Sequence, residues 1–121
     1  MRYLLFMLLI ATPISAISAE KRCGWLENPT PGNLWLIDAD SEWIISTQGV
    51  GFADEASMDH MPKIDDKEFV RTNGYYGFSC VCLSVKTDKA RSEILKVYSG
   101  QQLLLKQCLE DPNLYNKIPT R

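Results

Sequence analysis

Apolar runs of strand length punctuate the chain. The clearest are Leu34-Trp35-Leu36-Ile37-Asp38 and Glu42-Trp43-Ile44-Ile45-Ser46-Thr47, with Ala39-Asp40-Ser41 between them as a short hairpin loop. That loop sets Trp35 opposite Ile45 and Ile37 opposite Trp43 on one face, leaving Leu34, Leu36 and Ile44 on the other. Such cross-strand pairs contribute roughly 0.2–1 kcal/mol each. Gln48-Gly49-Val50-Gly51-Phe52 extends or bends the second strand, its glycines suggesting a bulge. Phe78-Ser79-Cys80-Val81-Cys82-Leu83 reads as a further strand running on to Val85, entered from the turn Asn73-Gly74-Tyr75-Tyr76-Gly77. Glu68-Phe69-Val70-Arg71 fits a brief strand before it. After a turn at residues 87–91, residues 93–98 form a return strand, or else a helical turn, stopped by Gly100. From Gln101 to Glu110 there is no glycine or proline, and Leu104, Leu105, Cys108 and Leu109 share a helical face. A short C-terminal helix is expected there, with a strand at residues 103–105 as the alternative and a tail beyond Asp111-Pro112.

Two stretches lack periodicity. Residues 20–33 hold two prolines, two glycines and two asparagines and read as a turn-rich arm anchored by Cys23 and Trp25. Residues 53–67 are acidic and interrupted by Pro62, so a long solvated loop with at most a short helical turn is expected. The pattern as a whole predicts a mainly β fold, a small antiparallel sheet of about four to five strands with one short C-terminal helix. No internal repeat is present.

The length of 121 residues suits one domain. Residues 1–19 have the layout of a secretory signal: a positive Met1-Arg2 start, an apolar run from Tyr3 to Ile10, a break at Pro13 and small residues to Ala19. The run is interrupted too early for a membrane span. The expected arrangement is therefore a signal at 1–19 and a single exported, periplasmic domain at 20–121, with no span left after cleavage. Removing Arg2 from the 13 basic residues leaves 12 against 15 acidic ones, a net charge of −3 with no basic block. Nucleic acid is accordingly a poor partner.

All four cysteines lie in residues 20–121, and an even number in a small exported domain predicts a disulfide frame. Cys80 and Cys82 are two apart, so on a strand they face the same way. A bond between them would close a small strained ring, so the partners are Cys23 and Cys108. Which pairs with which stays open. Each bond stabilises by about 3–4 kcal/mol on the loop-entropy account.

Cys23-Gly24-Trp25-Leu26-Glu27-Asn28-Pro29-Thr30-Pro31-Gly32-Asn33, Trp35-Leu36, Asp38, Asp40, Trp43, Ile45 and Gln48-Gly49 resemble a family of small exported bacterial proteins of unknown function. Thr72-Asn73-Gly74, Tyr76-Gly77, the Cys80/Cys82 pair and Cys108 fit the same pattern. The chain departs from it at Val50, where a second glycine follows Gln-Gly, and at Ser79, where a glycine precedes the cysteine pair. The resemblance implies an extracytoplasmic domain framed by these cysteines and brings no activity.

Candidate chemistry is sparse. Asp38, Asp40 and Glu42 alternate as in calcium loops, but Trp43 stands where the loop glycine belongs, so a solvated hairpin tip is the better reading. Asp54, Glu55, Asp59 and His60, the sole histidine, could serve a metal or acid–base site. That would make the chain a small metal-dependent or acid–base hydrolase using the acidic loop. No nucleophile elbow or phosphate loop is present, and no cofactor, metal site or catalytic residue is assigned. Trp25, Trp35 and Trp43 offer either a ligand platform or core. The preferred reading is a non-enzymatic protein-binding or envelope-associated module. Its working surface is the stretch from Gln48 to Lys67, whose charge favours a basic protein partner.

Overall fold

The structure, a computed structural model, describes Ile10 and residues 19–51 and 53–119. The expected export signal therefore lies almost wholly outside the described residues. The strands are β1 (Glu20–Asn28), β2 (Leu34–Ile37), β3 (Glu42–Thr47), β4 (Val50–Gly51), β5 (Phe69–Asn73), β6 (Tyr76–Asp88) and β7 (Glu93–Leu103). Two short helices, α1 (Glu55–Asp59) and α2 (Leu105–Leu109), and a 3₁₀ turn at Asp66–Glu68 complete the chain. No helix among the described residues is long and apolar enough to cross a membrane. The chain is mainly β, as expected, but its sheet has seven strands and is mixed rather than purely antiparallel.

The sheet closes on itself. β1 pairs with β2 on one side and with β6 on the other, while β2 pairs with β3, β3 with β7, and β7 with β6. These five strands form a barrel whose ring order, in chain order, is first, second, third, fifth, fourth. The closing pair, β3 and β7, is parallel. This is the Greek-key connectivity of an OB-type barrel. β4 turns back on β3 after Gln48-Gly49, and β5 is added to the start of β6.

Residues 20–28 are thus the barrel's central seam, not the expected arm. They pair along their whole length with β6, from Glu20 opposite Val85 to Asn28 opposite Gly77. Gly24 lets β2 approach this seam, since a Cβ there would collide with the Ile37 carbonyl oxygen. The predicted hairpin exists but is shifted by one residue: Trp35 faces Ile44, Leu36 faces Trp43 and Ile37 faces Glu42. Asp38 causes the shift. Its backbone N–H bonds to the Ser41 carbonyl and its side chain caps the Asp40 and Ser41 amides, which takes it out of the strand. A one-residue slip exchanges the faces of a strand, so Leu36, Trp43 and Ile45 point inward. β7 also runs through Gly100 instead of stopping there. The strand ends at Leu103, and α2 follows as a single turn and a half with Leu104 and Leu109 exposed.

Two clusters hold the molecule. Leu26, Leu36, Trp43, Ile45, Val81, Leu83, Val85, Ile94 and Val97 fill the barrel. Outside it, Trp25, Phe78, Cys80, Cys108 and Leu114 form a second core between the β1/β6 seam and the C-terminal segment. Trp25 and Phe78 meet edge to face at 5.3 Å, and Trp25 Nε1 donates to the Leu114 carbonyl at 2.9 Å. The expected free tail is therefore docked. Lys117 continues it by donating to the carbonyls of Asp38 and Ala39.

Cys23 is directly opposite Cys82, and those two are bonded; Cys80 is bonded to Cys108. Neither bond lies within the Cys80/Cys82 pair. One bond ties the seam strands together and the other clamps α2 to the barrel wall, closing loops with sequence separations of 59 and 28. Loops of this size correspond to about 4 kcal/mol each. Two disulfides also mark an oxidising, non-cytoplasmic environment.

Candidate functional site

The barrel has two ends with opposite chemistry. At the end formed by the start of β1 and the β2–β3 turn, Arg22 points inward and fills the opening. Its guanidinium lies 4.1 Å over the Trp43 ring, and it donates to Asp38 at 2.9 Å, Asp40 at 3.1 Å and Glu20 at 2.8 Å. Asp38 Oδ1 accepts three further hydrogen bonds, from the Asp40 and Ser41 amides and Trp43 Nε1. Burial opposes ionisation of Asp38, but bonds from Ser41, Trp43, Arg22 and Asp40 outweigh it and hold the carboxyl below its ordinary range. Glu20 is also held low, chiefly by the Thr87 hydroxyl with Arg22 assisting. The carboxylates of Asp38 and Asp40 therefore serve an internal cation, Arg22. Only Asp40 and Glu42 of the three alternating acids are exposed as a hairpin tip is.

The other end is open. Between β3 and β7 there is one bridge, Ile44 opposite Glu93, and residues 53–68 run beside β7 to cover the gap that this leaves. Ala53 N–H bonds to the Ile45 carbonyl, and Asp54 N–H to Leu95. Ser57, buried at the centre of α1, accepts from Val97 N–H at 2.9 Å while its hydroxyl donates to Asp54. Gln102 grips the far end, accepting from Asp65 N–H at 2.7 Å and donating to the carbonyls of Asp65 and Glu68. Gly100 lets this strap sit close. A Cβ there would lie 2.6 Å from Pro62 Cδ and 2.7 Å from Leu83 Cδ2. The stretch expected to be a solvated loop is thus bound along its length, with Ala53, Met61 and Ile64 packed on the barrel core.

Between the strap and the β5–β6 hairpin lies a groove of 310 Å³. Leu26, Leu34 and Ser79 of the barrel form its floor. Met58, Met61 and Ile64 form one wall, and Phe69 and Tyr75 the other. Met58 is 48% exposed and Tyr75 83% exposed. A concave apolar site at the mouth of a β-barrel is a common place for a ligand, and methionines adapt well to irregular surfaces.

The residues singled out in the sequence are divided by this arrangement. Asp54 caps α1, pairs with Lys96 at 3.8 Å and has its carboxyl lowered first by its hydrogen bond from Ser57. Glu55 and Asp59 project from α1 into solvent. His60 closes α1, and its Nδ1 donates to the Val97 carbonyl at 2.9 Å, away from the groove lining. Among the described residues no group of three or more His, Cys, Asp or Glu converges as a metal site. Trp25 and Trp43 are buried, at 0% and 3% exposure, and lie in different cores, so no three-tryptophan platform forms. Trp35 is half-buried beside Ile44 on the outer face of β2 and β3, over a shallow recess. Of the groove lining, Met58, Met61, Pro62, Ile64 and Asp66 fall inside the expected working surface from Gln48 to Lys67, whereas Leu26, Asn28, Leu34, Phe69, Tyr75 and Ser79 were not expected to take part.

A family model described as "Protein of unknown function (DUF4087)" matches residues 17–115. No curated protein matches the chain, and no solved structure does.

Proposed function

The chain belongs to this family, and we propose that it is a non-enzymatic binding module, exported to the periplasm, that seats a segment of a basic protein partner in the groove at the open end of its barrel. The observation that carries this reading is the groove itself. Its floor is barrel core, its walls carry exposed Met58 and Tyr75, and Asp66 is the one carboxylate in the lining, on a strap that is acidic overall. Residues 54–68 hold six carboxylates against two lysines, a net charge of −4. Apolar lining gives such a site affinity, and the acidic rim selects and steers a cationic partner. The disulfide frame and the expected signal at residues 1–19 support the periplasmic placement.

A hydrolase built on the acidic segment would need His60 and the carboxylates to converge on a reacting atom. Here Asp54 is committed to capping and to Lys96, and His60 Nδ1 to a backbone carbonyl. The test is affinity capture from envelope extract with the oxidised domain as bait, repeated with two variants and in 0.5 M salt, which shortens the Debye length about twofold from its value at about 0.15 M. A specific prey lost with Met58→Asp/Tyr75→Ser, lost in salt and kept with His60→Ala supports the binding reading. Prey kept by the groove variant overturns it, and turnover of any substrate abolished by His60→Ala would favour the hydrolase.

A further inference from the structure

The two disulfides sit on the same outer wall of the barrel and differ in access. Side chains alternate along a strand, so Lys21, Cys23 and Trp25 of β1 share that wall with Cys80, Cys82 and Ser84 of β6. The C-terminal segment covers the part that holds Trp25 and Cys80, and the bond from Cys80 to Cys108 is buried, at 0% and 1% exposure. Cys23 and Cys82 lie two residues further along their strands, and both are half-buried. A recess of 360 Å³ opens beside them, lined by Cys82 together with Lys21, Ser84, Ser99 and Gln101. Among the described residues in that lining, Lys21 alone carries charge. None of these residues lines the groove at the open end.

We propose that the bond between Cys23 and Cys82 is a thiol–disulfide exchange site, opened by a protein dithiol that enters through this recess, while the bond between Cys80 and Cys108 is a permanent clamp. A thiolate of the dithiol attacks Cys82 Sγ, forming a mixed disulfide and releasing Cys23 as a thiolate. The second thiol of the dithiol, once deprotonated, attacks its own partner sulfur in the mixed disulfide and releases Cys82. The dithiol ends as a disulfide. Two electrons, and two protons by way of solvent, have then passed to Cys23 and Cys82.

Exchange depends on access to the attacked sulfur and on how readily the other sulfur leaves. The recess gives access at Cys82. Lys21 and Cys23 are two apart on β1 and share a face, and a neighbouring ammonium favours a thiolate. Both requirements select the same polarity, with Cys82 attacked and Cys23 leaving. The cation also draws in a thiolate from solution. The fold survives the opening. β1 stays paired with β6 by main chain from Glu20 to Asn28, and the bond from Cys80 to Cys108 keeps α2 on the wall. Since Cys23 follows Arg22 in β1, exchange changes how firmly the polar end of the barrel is held without dismantling it.

The probe is thioredoxin carrying only its attacking cysteine, which stops at the mixed disulfide, added to the fully oxidised protein with rapid alkylation of any freed thiol. Peptide mass mapping is expected to place thioredoxin on Cys82 and the alkyl group on Cys23. With limiting dithiothreitol, Cys23 and Cys82 should be alkylated about tenfold or more faster than Cys80 and Cys108, because access governs the rate, and the circular dichroism of the sheet should persist. Lys21 is exposed, so Lys21→Glu leaves the fold intact and should slow the first opening about threefold or more by repelling the thiolate. An adduct on Cys23, Cys80 or Cys108, or no adduct at all, overturns the proposal. So do equal opening rates for the two bonds, loss of the sheet signal when the first bond opens, or a Lys21→Glu rate that matches the parent.

Discussion

The two ends of the barrel are built from the same two strands and are finished in opposite ways. β1 and β2 contribute Arg22 and the Asp38 turn at one end, and Leu26, Asn28 and Leu34 at the other. The first end is filled by a guanidinium sandwiched between an indole and three carboxylates. The second is apolar and left concave, with a charged strap along its wall. Filling a barrel end with ion pairs commits Arg22 and the buried Asp38 to the fold. Leaving apolar side chains uncovered does the reverse. The polar end therefore serves the fold, and the apolar end is the one that the proposed binding uses.

The largest expected effect breaks the polar end. Arg22 and Asp38 have side chains only 11% and 6% exposed. Truncating one partner of a buried pair strands the other, at a cost of about 3–5 kcal/mol. Arg22→Ala should lower the stability of the oxidised domain by that amount in urea unfolding. A loss below about 1 kcal/mol would place Arg22 among ordinary surface ion pairs and remove the contrast between the ends.

Acid sharpens the same point at smaller amplitude. The folded Asp38 carboxyl titrates below its unfolded value, so its contribution is complete above about pH 4 and is lost as pH falls through the folded value. Asp38→Asn should thus be less stable than the parent at pH 7, with the gap narrowing as pH drops below about 4. Glu20, also held low, leaves a residual acid limb in the variant. A gap that stays constant across this range would show that Asp38 acts by shape alone.

The inward turn of Arg22 also explains what could and could not be read from the sequence. The interior face of β1 runs Glu20, Arg22, Gly24, Leu26, opposite Val85, Leu83, Val81 and Ser79. Charged residues at its inward positions erased the alternation, so the longest-paired strand at the N-terminus looked like an arm. The β2–β3 hairpin was legible from its apolar runs, but its register depended on Asp38 bonding to Trp43 and Arg22, the latter 16 residues away in sequence. The strap was illegible for a related reason. Its anchors are a serine hydroxyl and a glutamine side chain bonded to residues about 40 positions away along the chain, and no local periodicity encodes such bonds. Cysteine geometry was legible in part. The two-residue spacing gave a shared face, whereas the choice of Cys82 for Cys23 followed from a register visible only in the folded barrel.

The smallest expected effect belongs to the open end and separates its lining into two kinds. Met58 and Tyr75 stand on the rim, while Met61 and Ile64 reach down onto the barrel core. Substituting a rim residue removes little buried area, and surface changes of this sort stay within about 0.5 kcal/mol. Met58→Asp should therefore melt with the parent while losing capture of the partner. Ile64→Asp instead drives a carboxylate against Leu-rich core without a partner and should cost about 1–3 kcal/mol. Equal destabilisation by the two variants would mean that Met58 is a closing residue of the core. The groove would then be a packing defect between strap and hairpin, and the two barrel ends would differ in polarity without differing in purpose.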